Sequence, residues 1–149
     1  MQLTTYTDYS LRTLLHLGSN RDRLVTIQEI AQLHAISKNH LTKVAHQLGV
    51  FGVIETIRGR NGGLRLKLEP HAINLGAVVR FTETDFYMAE CFDPKGSPCG
   101  LRGACGLRDV LIDATAAYLK VLDGKSLADL LPAPAPTNSV VRFHAASCA

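Results

Sequence analysis

The chain has 149 residues, 46% of them hydrophobic, and a net charge of +3, which suits one domain with its own core, with or without an appendage. It contains no apolar run of the ~18 residues that suggest a membrane span and no signal-peptide pattern at its N-terminus, so we expect a cytoplasmic location and no membrane partner. The positive charge is concentrated, because residues 37–67 hold six Lys/Arg and one acid, Glu55, as expected of a segment that contacts phosphates.

The first predicted element is a helix near the N-terminus. Thr7 is expected to cap it, which places the carboxylate of Asp8 in the first turn, where a negative charge suits the helix dipole. Gly18-Ser19-Asn20 ends the pattern. The apolar positions that recur at helical spacing are Leu11, Leu14, Leu15 and Leu17.

Two shorter helices follow, with a brief break between them. Thr26 and Glu29 form the pattern of a capping box at the start of the first one. Ser37 is expected to cap the second, "SKNHLTKVAHQL", and Gly49 is expected to stop it. The inward-facing positions of this second helix are predicted to be Leu41, Val44, Ala45 and Leu48.

After Gly52 the apolar period changes from helical to alternating, in the segment "VIETIRGRNGGLRLKL". The stretch Asn61-Gly62-Gly63 between its two arms predicts a β-hairpin, because such a turn needs positive φ angles. Two capped helices followed by a basic hairpin are typical of a winged helix-turn-helix domain.

A helix capped by Asn74 comes next, and then a Gly- and Pro-rich loop that contains Cys91, Cys99 and Cys105. A long helical pattern follows over residues 107–122. Its sustained apolar stripe needs a partner surface, because an amphipathic helix gains its stability from packing.

The fold class predicted from these elements is mainly α with a small β-hairpin. A winged helix-turn-helix domain is expected over residues 1–72. The cysteine loop and a dimerisation helix occupy residues 73–131, and a disordered tail is expected over 132–149.

The start of the helix capped by Ser37 and the basic hairpin form a candidate DNA-binding surface. A helix fits the major groove, where its first residues reach base edges and phosphates, and a glycine-rich hairpin tip approaches a narrow groove closely. Each residue alone is equally explained as a solvated side chain, and the combination favours DNA. The candidates are Ser37, Lys38, Asn39, His40, Lys43, Arg58, Arg60 and Asn61, with Asn39 as the base reader.

The three clustered cysteines favour a metal centre in a reducing compartment. Cysteine thiolates bind both zinc and iron–sulfur clusters. The gaps of seven and five residues are wider than the close pairs of structural zinc sites, and they suit a loop wrapped around a larger object. Three buried cysteines without a ligand remain the alternative, although a polar Gly/Pro-rich loop is a poor place to bury them.

Three stretches, "MQLTTYTDYSLRTLLHL", "SKNHLTKVAHQLG" and "RGRNGGLRL", resemble the NsrR/IscR family of iron–sulfur winged-helix transcription regulators. The resemblance covers roughly residues 1–131 and is strongest to the NsrR-type members, which are nitric-oxide-sensing repressors. It implies a homodimeric repressor that binds a double-stranded DNA operator, carries a [4Fe-4S] or [2Fe-2S] cluster and responds to nitric oxide.

The resemblance also implies a ligand set. Cys91, Cys99 and Cys105 would bind the cluster. IscR-like members carry a histidine three residues after the last cysteine, where this chain has Arg108, whereas NsrR-like members carry an N-terminal aspartate, which Asp8 matches. The fourth ligand implied is therefore Asp8 from the partner subunit.

Several alternatives stay open at this point. Asp8 also fits a purely structural role at the helix dipole. Local candidates for the fourth ligand are Glu90, Asp93 and Cys148. The protein is predicted to be a regulator and not an enzyme, because no nucleotide loop or nucleophile–base pattern is present. The other functions are a regulator that senses iron status or oxygen, a zinc-stabilised constitutive DNA-binding protein and, least favoured, an enzyme or electron carrier.

Overall fold

The computed structural model describes residues 2–96, 99–100 and 105–132. Within these residues the regular structure consists of five α-helices, one two-stranded antiparallel sheet and three short 3-10 turns. This is the predicted arrangement of a mainly α chain with a small hairpin. The elements are α1 (Thr5–Ser19), α2 (Ile27–His34), α3 (Lys38–Phe51), β1 (Ile54–Ile57), β2 (Gly63–Leu66), α4 (Leu75–Thr82) and α5 (Gly106–Asp123).

The predicted cap of α1 is wrong by one helical turn. Thr4 caps the helix, because its hydroxyl oxygen accepts the N–H of Thr7 at 3.2 Å. Thr7 itself is completely buried, and its hydroxyl donates to the hydroxyl of Thr82 in α4 at 2.9 Å. A buried hydroxyl needs a hydrogen-bond partner, and the partner that keeps Thr7 inside the helix lies 75 residues away in sequence.

The two caps of the helix-turn-helix are confirmed. The hydroxyl of Thr26 accepts the N–H of Glu29 at 3.1 Å, and that of Ser37 accepts the N–H of His40 at 3.3 Å. Ala35 turns the chain between α2 and α3 in the left-handed region, with φ 53°. The predicted stop at Gly49 is wrong, since α3 continues to Phe51 and ends at a left-handed glycine, Gly52.

The hairpin pairs Ile54 with Leu66 and Ile57 with Gly63, as an antiparallel wing. The positive φ angle of its turn falls at Gly59, at 118°, and not within Asn61-Gly62-Gly63 as predicted. Space explains the glycine at 63, because a β-carbon there would lie 2.8 Å from the carbonyl oxygen of Val25. The wing is thereby joined to the strand-like residue Val25, which exchanges two backbone hydrogen bonds with Leu64.

One hydrophobic core joins the wing, the first three helices and the segment after α5. Leu14 of α1, Leu48 of α3 and Leu64 of β2 are each at most 2% exposed. Leu127, which follows α5, is completely buried in the same cluster as Val78 of α4. Each such side chain contributes about 1.5–3 kcal/mol through burial. The chain therefore returns to the winged-helix core after α5. The predicted domain boundaries at residues 72 and 131 stay a prediction.

α5 lies largely outside this core. None of its residues is buried, and Leu107, Val110 and Val121 are 63–67% exposed. An ion pair between Arg80 of α4 and Asp123 holds its C-terminal end. In the part of the chain that the structure describes, no helix combines the length and the hydropathy needed to cross a membrane. The apolar stripe of α5 thus remains available to another protein surface.

Candidate nucleic-acid interface and cysteine loop

The first turns of α3 present the predicted DNA-contacting side chains to solvent. All five are exposed, and the first turn contains no acidic residue that would repel a phosphate. The cap at Ser37 leaves the other early N–H groups of the helix facing outward, where they favour an anion. The five exposed residues are Ser37, Lys38, Asn39, His40 and Lys43.

The wing places its predicted side chains at the β1–β2 turn. Arg58, Arg60 and Asn61 are exposed there. Arg65, in the adjacent strand, is already neutralised by Glu55, with Nε and Oε1 2.6 Å apart. By contrast, none of the predicted DNA-contacting cations forms an ion pair within residues 2–96, 99–100 and 105–132. Their charge is therefore free to meet phosphates.

A groove joins the wing to the start of α3. It has a volume of about 260 Å³ and is lined by Lys38, by Thr56 of β1 and by the wing residues Gly62 and Gly63. The groove thus lies between the first residue of α3 and the two glycines that follow Asn61 in the wing. This juxtaposition is what a protein needs to contact a major groove and the neighbouring backbone together.

Asp8 lies on the first turn of α1 with its side chain 42% exposed. Arg12, one turn later, binds both of its carboxylate oxygens at 3.0 Å. A cavity of about 550 Å³ is lined by Asp8, Arg12, Tyr9 and His34 among others. The exposed ion pair is weak, worth about 0–1 kcal/mol, so the carboxylate is available to a stronger partner.

His34 contributes an unsatisfied polar atom beside this cavity. Its Nε2 is buried and has no hydrogen-bond partner among the described residues. Burial, and then the nearby His16 and Arg12, hold the pKa of His34 below its usual value, while Asp8 acts in the opposite direction. Burial thus disfavours the charged form of the ring.

The three cysteines are free thiols at separate points of the loop. Cys91 lies in the 3-10 turn Glu90–Phe92, Cys99 is exposed, and Cys105 occupies the N-cap position of α5. Their donor chemistry fits an iron–sulfur cluster, because thiolates are the ligands that such clusters use.

The described residues do not assemble a complete metal site. Among residues 2–96, 99–100 and 105–132, no group of three His, Cys, Asp or Glu side chains lies close enough together to hold a metal ion. Of the local alternatives, Glu90 is exposed, and Asp93 accepts the N–H of Lys95 at 2.8 Å. Cys148 and the predicted tail beyond residue 132 lie outside the described residues. The ligand set of three cysteines and Asp8 stays a prediction.

Sequence reasoning missed two contacts near the site. The carboxylate of Glu83, at the end of α4, accepts the N–H of Thr4 at 2.8 Å and so caps α1 from a distance. The guanidinium of Arg108 lies over the ring of Phe92, 5.4 Å from its centroid. Neither has a local sequence signal, since both pairs are far apart along the chain.

Fold and exposed basic surface together are those of a winged-helix DNA-binding domain. Comparison with known proteins gives the family. Residues 3–133 match the family Rrf2, described as "Iron-dependent Transcriptional regulator", and the chain belongs to this family.

Individual relatives show which type of Rrf2 regulator the chain resembles. The chain is 52% identical to the HTH-type transcriptional regulator NsrR of Bacillus licheniformis over 132 residues, which cover 88% of this chain and 92% of the relative. Its structure is similar to that of CymR, the global cysteine regulator of B. subtilis, with a TM-score of 0.70, 26% identity and coverage of 87% and 95% of the two chains. IscR of T. potens shares the fold, with a TM-score of 0.69, 21% identity and coverage of 87% and 85%. The resemblance to NsrR-type regulators is thereby confirmed.

Proposed function

We propose that this protein is a homodimeric repressor whose grip on its DNA operator depends on an iron–sulfur cluster and is released by nitric oxide. The observation that carries the proposal is the presence of three free thiols on the loop that leads directly into α5. The 52% identity to a regulator called NsrR supports the nitric-oxide signal. The cluster, of the [4Fe-4S] or [2Fe-2S] type, would be held by Cys91, Cys99 and Cys105, with Asp8 of the partner subunit as fourth ligand.

A ligand set of three thiolates and one carboxylate would explain the sensitivity of the cluster to nitric oxide. Thiolates are soft ligands that hold iron well, whereas a carboxylate is harder and weaker, so the iron bound by Asp8 is the most open to a small molecule. When bound, the cluster would supply iron that reacts with nitric oxide. In this structure the carboxylate of Asp8 pairs with Arg12.

The structure offers a route from Asp8 to the DNA surface. Asp8 belongs to α1, which packs against both α3 and α4. The first turn of α1 is joined to the end of α4 by the bond between Thr4 and Glu83 and by the bond between Thr7 and Thr82. A change at Asp8 would reach the DNA-contacting helix through these contacts of α1.

Dimerisation is part of the proposal. The exposed apolar stripe of α5 is the surface expected to join two copies, because an amphipathic helix buries such a stripe. Two joined winged helices grip two half-sites, and the pairing also brings Asp8 of one subunit to the cysteine loop of the other.

Replacing Arg60 with alanine tests the wing. We expect weaker operator binding and a shallower dependence of log affinity on log salt, with a slope smaller by about 0.9, the value for one phosphate. Arg21→Ala is the control, since it removes the same charge from a residue that pairs with Glu69 away from the wing. Binding measured over a range of salt concentrations decides the question, and an unchanged slope in Arg60→Ala removes the wing from the mechanism.

Replacing Asp8 with alanine tests the fourth ligand. Asp8 forms only an exposed ion pair, so the variant should fold normally and still be coloured. Its visible circular dichroism and its rate of reaction with nitric oxide should both change, because the weak ligand controls access to one iron. An identical spectrum with identical kinetics would return attention to Glu90, Asp93 or Cys148.

Nitric oxide titration of the anaerobically purified protein tests the function itself. The protein should be brown, contain iron and sulfide, and bind an operator selected from random-sequence DNA. Visible absorption and operator binding should be lost together as nitric oxide is added. Colourless zinc protein with full operator affinity would establish the constitutive alternative. Loss of binding on exposure to oxygen or an iron chelator, without any effect of nitric oxide, would establish a different signal.

A further inference from the structure

Arg108 makes a specific contact across the cysteine loop. Its guanidinium lies 5.4 Å from the centroid of the Phe92 ring, within the distance of a cation–π interaction. Both side chains are half-buried. Arg108 takes part in no ion pair with residues 2–96, 99–100 and 105–132. Within the described residues, the guanidinium of Arg108 therefore interacts with the ring of Phe92 and with no carboxylate.

The two partners stand beside two of the proposed cluster ligands. Phe92 follows Cys91 directly, and both belong to the 3-10 turn Glu90–Phe92. Arg108 lies in the first turn of α5, where its backbone N–H donates to the carbonyl oxygen of Cys105 at 3.1 Å. The contact therefore links the Cys91 turn to the first turn of α5.

We propose that Arg108 is a positioning residue that pins the Cys91 turn to the start of α5 by stacking on Phe92. This inference rests on the proposed function, since it concerns how the loop is prepared for a cluster, but the contact itself needs no cluster. Closing a loop before ligand binding removes part of the entropy that the ligand must otherwise overcome.

At position 108 an arginine plays a different role from the iron-binding histidine of IscR-like members. A guanidinium stays protonated at any physiological pH and has no lone pair for iron, so Arg108 cannot act as a histidine would there. Its planar, weakly hydrated group stacks on aromatic rings better than the ammonium of lysine does.

Hydrogen exchange of the cluster-free protein tests the contact. We expect Arg108→Leu and Phe92→Leu each to speed exchange of the amides of residues 90–93 by about two- to fivefold, the range expected of one cation–π contact that solvent still reaches. The double variant should add nothing further, because either change alone removes the pair. Arg108→Lys should fall between wild type and Arg108→Leu. Lys120→Leu, which removes an exposed charge from the other end of α5, is the control and should have no effect.

Cluster release to a chelator tests the positioning role in the loaded protein. The rate should rise in Arg108→Leu and Phe92→Leu by a factor similar to that of the exchange rates, with Lys120→Leu unchanged. Faster exchange without faster release would show a contact that does not position the cluster and would overturn the proposal. Unchanged exchange, or additive effects in the double variant, would overturn it as well. A wild-type protein that takes up no cluster would contradict the proposed function. The exchange measurement uses cluster-free protein, so it tests the contact between Arg108 and Phe92 independently of that outcome.

Discussion

Cys99→Ala is expected to yield a folded but colourless protein that no longer binds its operator specifically. Cys99 is exposed, so its removal leaves no cavity in the core, and the melting temperature should change little. Loss of one of three thiolates leaves too few strong ligands to hold the cluster. Operator affinity should fall by roughly 100-fold or more, toward the level of non-specific binding.

Iron and sulfide content, visible absorption and operator binding at fixed salt measure this result. Cys148→Ala is the matched control, because it removes a thiol from the same chain at a position outside the proposed ligand set. It should retain colour and affinity. If Cys99→Ala still carried a full cluster, the cysteine loop would not be the metal site, and the proposed function would lose its basis.

A charge in the stripe of α5 is the second change with a large expected effect. Val110→Glu should convert the dimer to a monomer, because the carboxylate would have to be buried without a partner in the helix–helix seam. Val110 is 63% exposed in the single chain, so the fold of each subunit should survive. Operator affinity should drop by about two orders of magnitude or more, since two half-sites are no longer gripped together.

Sedimentation and operator binding measured at the same protein concentration test this prediction. Ala116→Glu introduces the same charge at an exposed position of α5 outside the apolar stripe, and it should stay dimeric. A wild-type protein that carries its cluster as a monomer would contradict both the seam and the supply of Asp8 from a partner subunit.

Local signals predicted much of the secondary structure. Thr26, Ser37 and Asn74 were predicted as caps from the sequence, and each accepts a backbone N–H in the structure. Such a cap depends on residues two or three positions away, which the sequence displays directly. The stop of α3 was misplaced from Gly52 to Gly49, because two glycines near the end of one helix compete as C-terminal caps.

The candidate DNA surface was also readable from the chain. The basic side chains of "SKNHLTK" and "RGRNGG" stood out by charge, and the structure exposes them to solvent. The sequence did not reveal which of the basic side chains form ion pairs with acidic residues. Arg65 forms an ion pair with Glu55 on the opposite strand, whereas Arg58 and Arg60 at the turn form none with the described residues. The pairing of the two strands, which places Glu55 opposite Arg65, determines this difference.

By itself the sequence determined three of the helix caps, the wing, the basic side chains and the three thiols, because these depend on residue type and short spacing. The tertiary structure decided what lies across long stretches of chain. It placed Thr7 against Thr82, returned Leu127 to the core after α5, gave Asp8 to Arg12 and stacked Arg108 on Phe92. Apart from the pair of Asp8 and Arg12, which lies within one helix, such contacts depend on how whole elements pack, since a buried hydroxyl or a loop is satisfied by whichever distant group the fold brings to it.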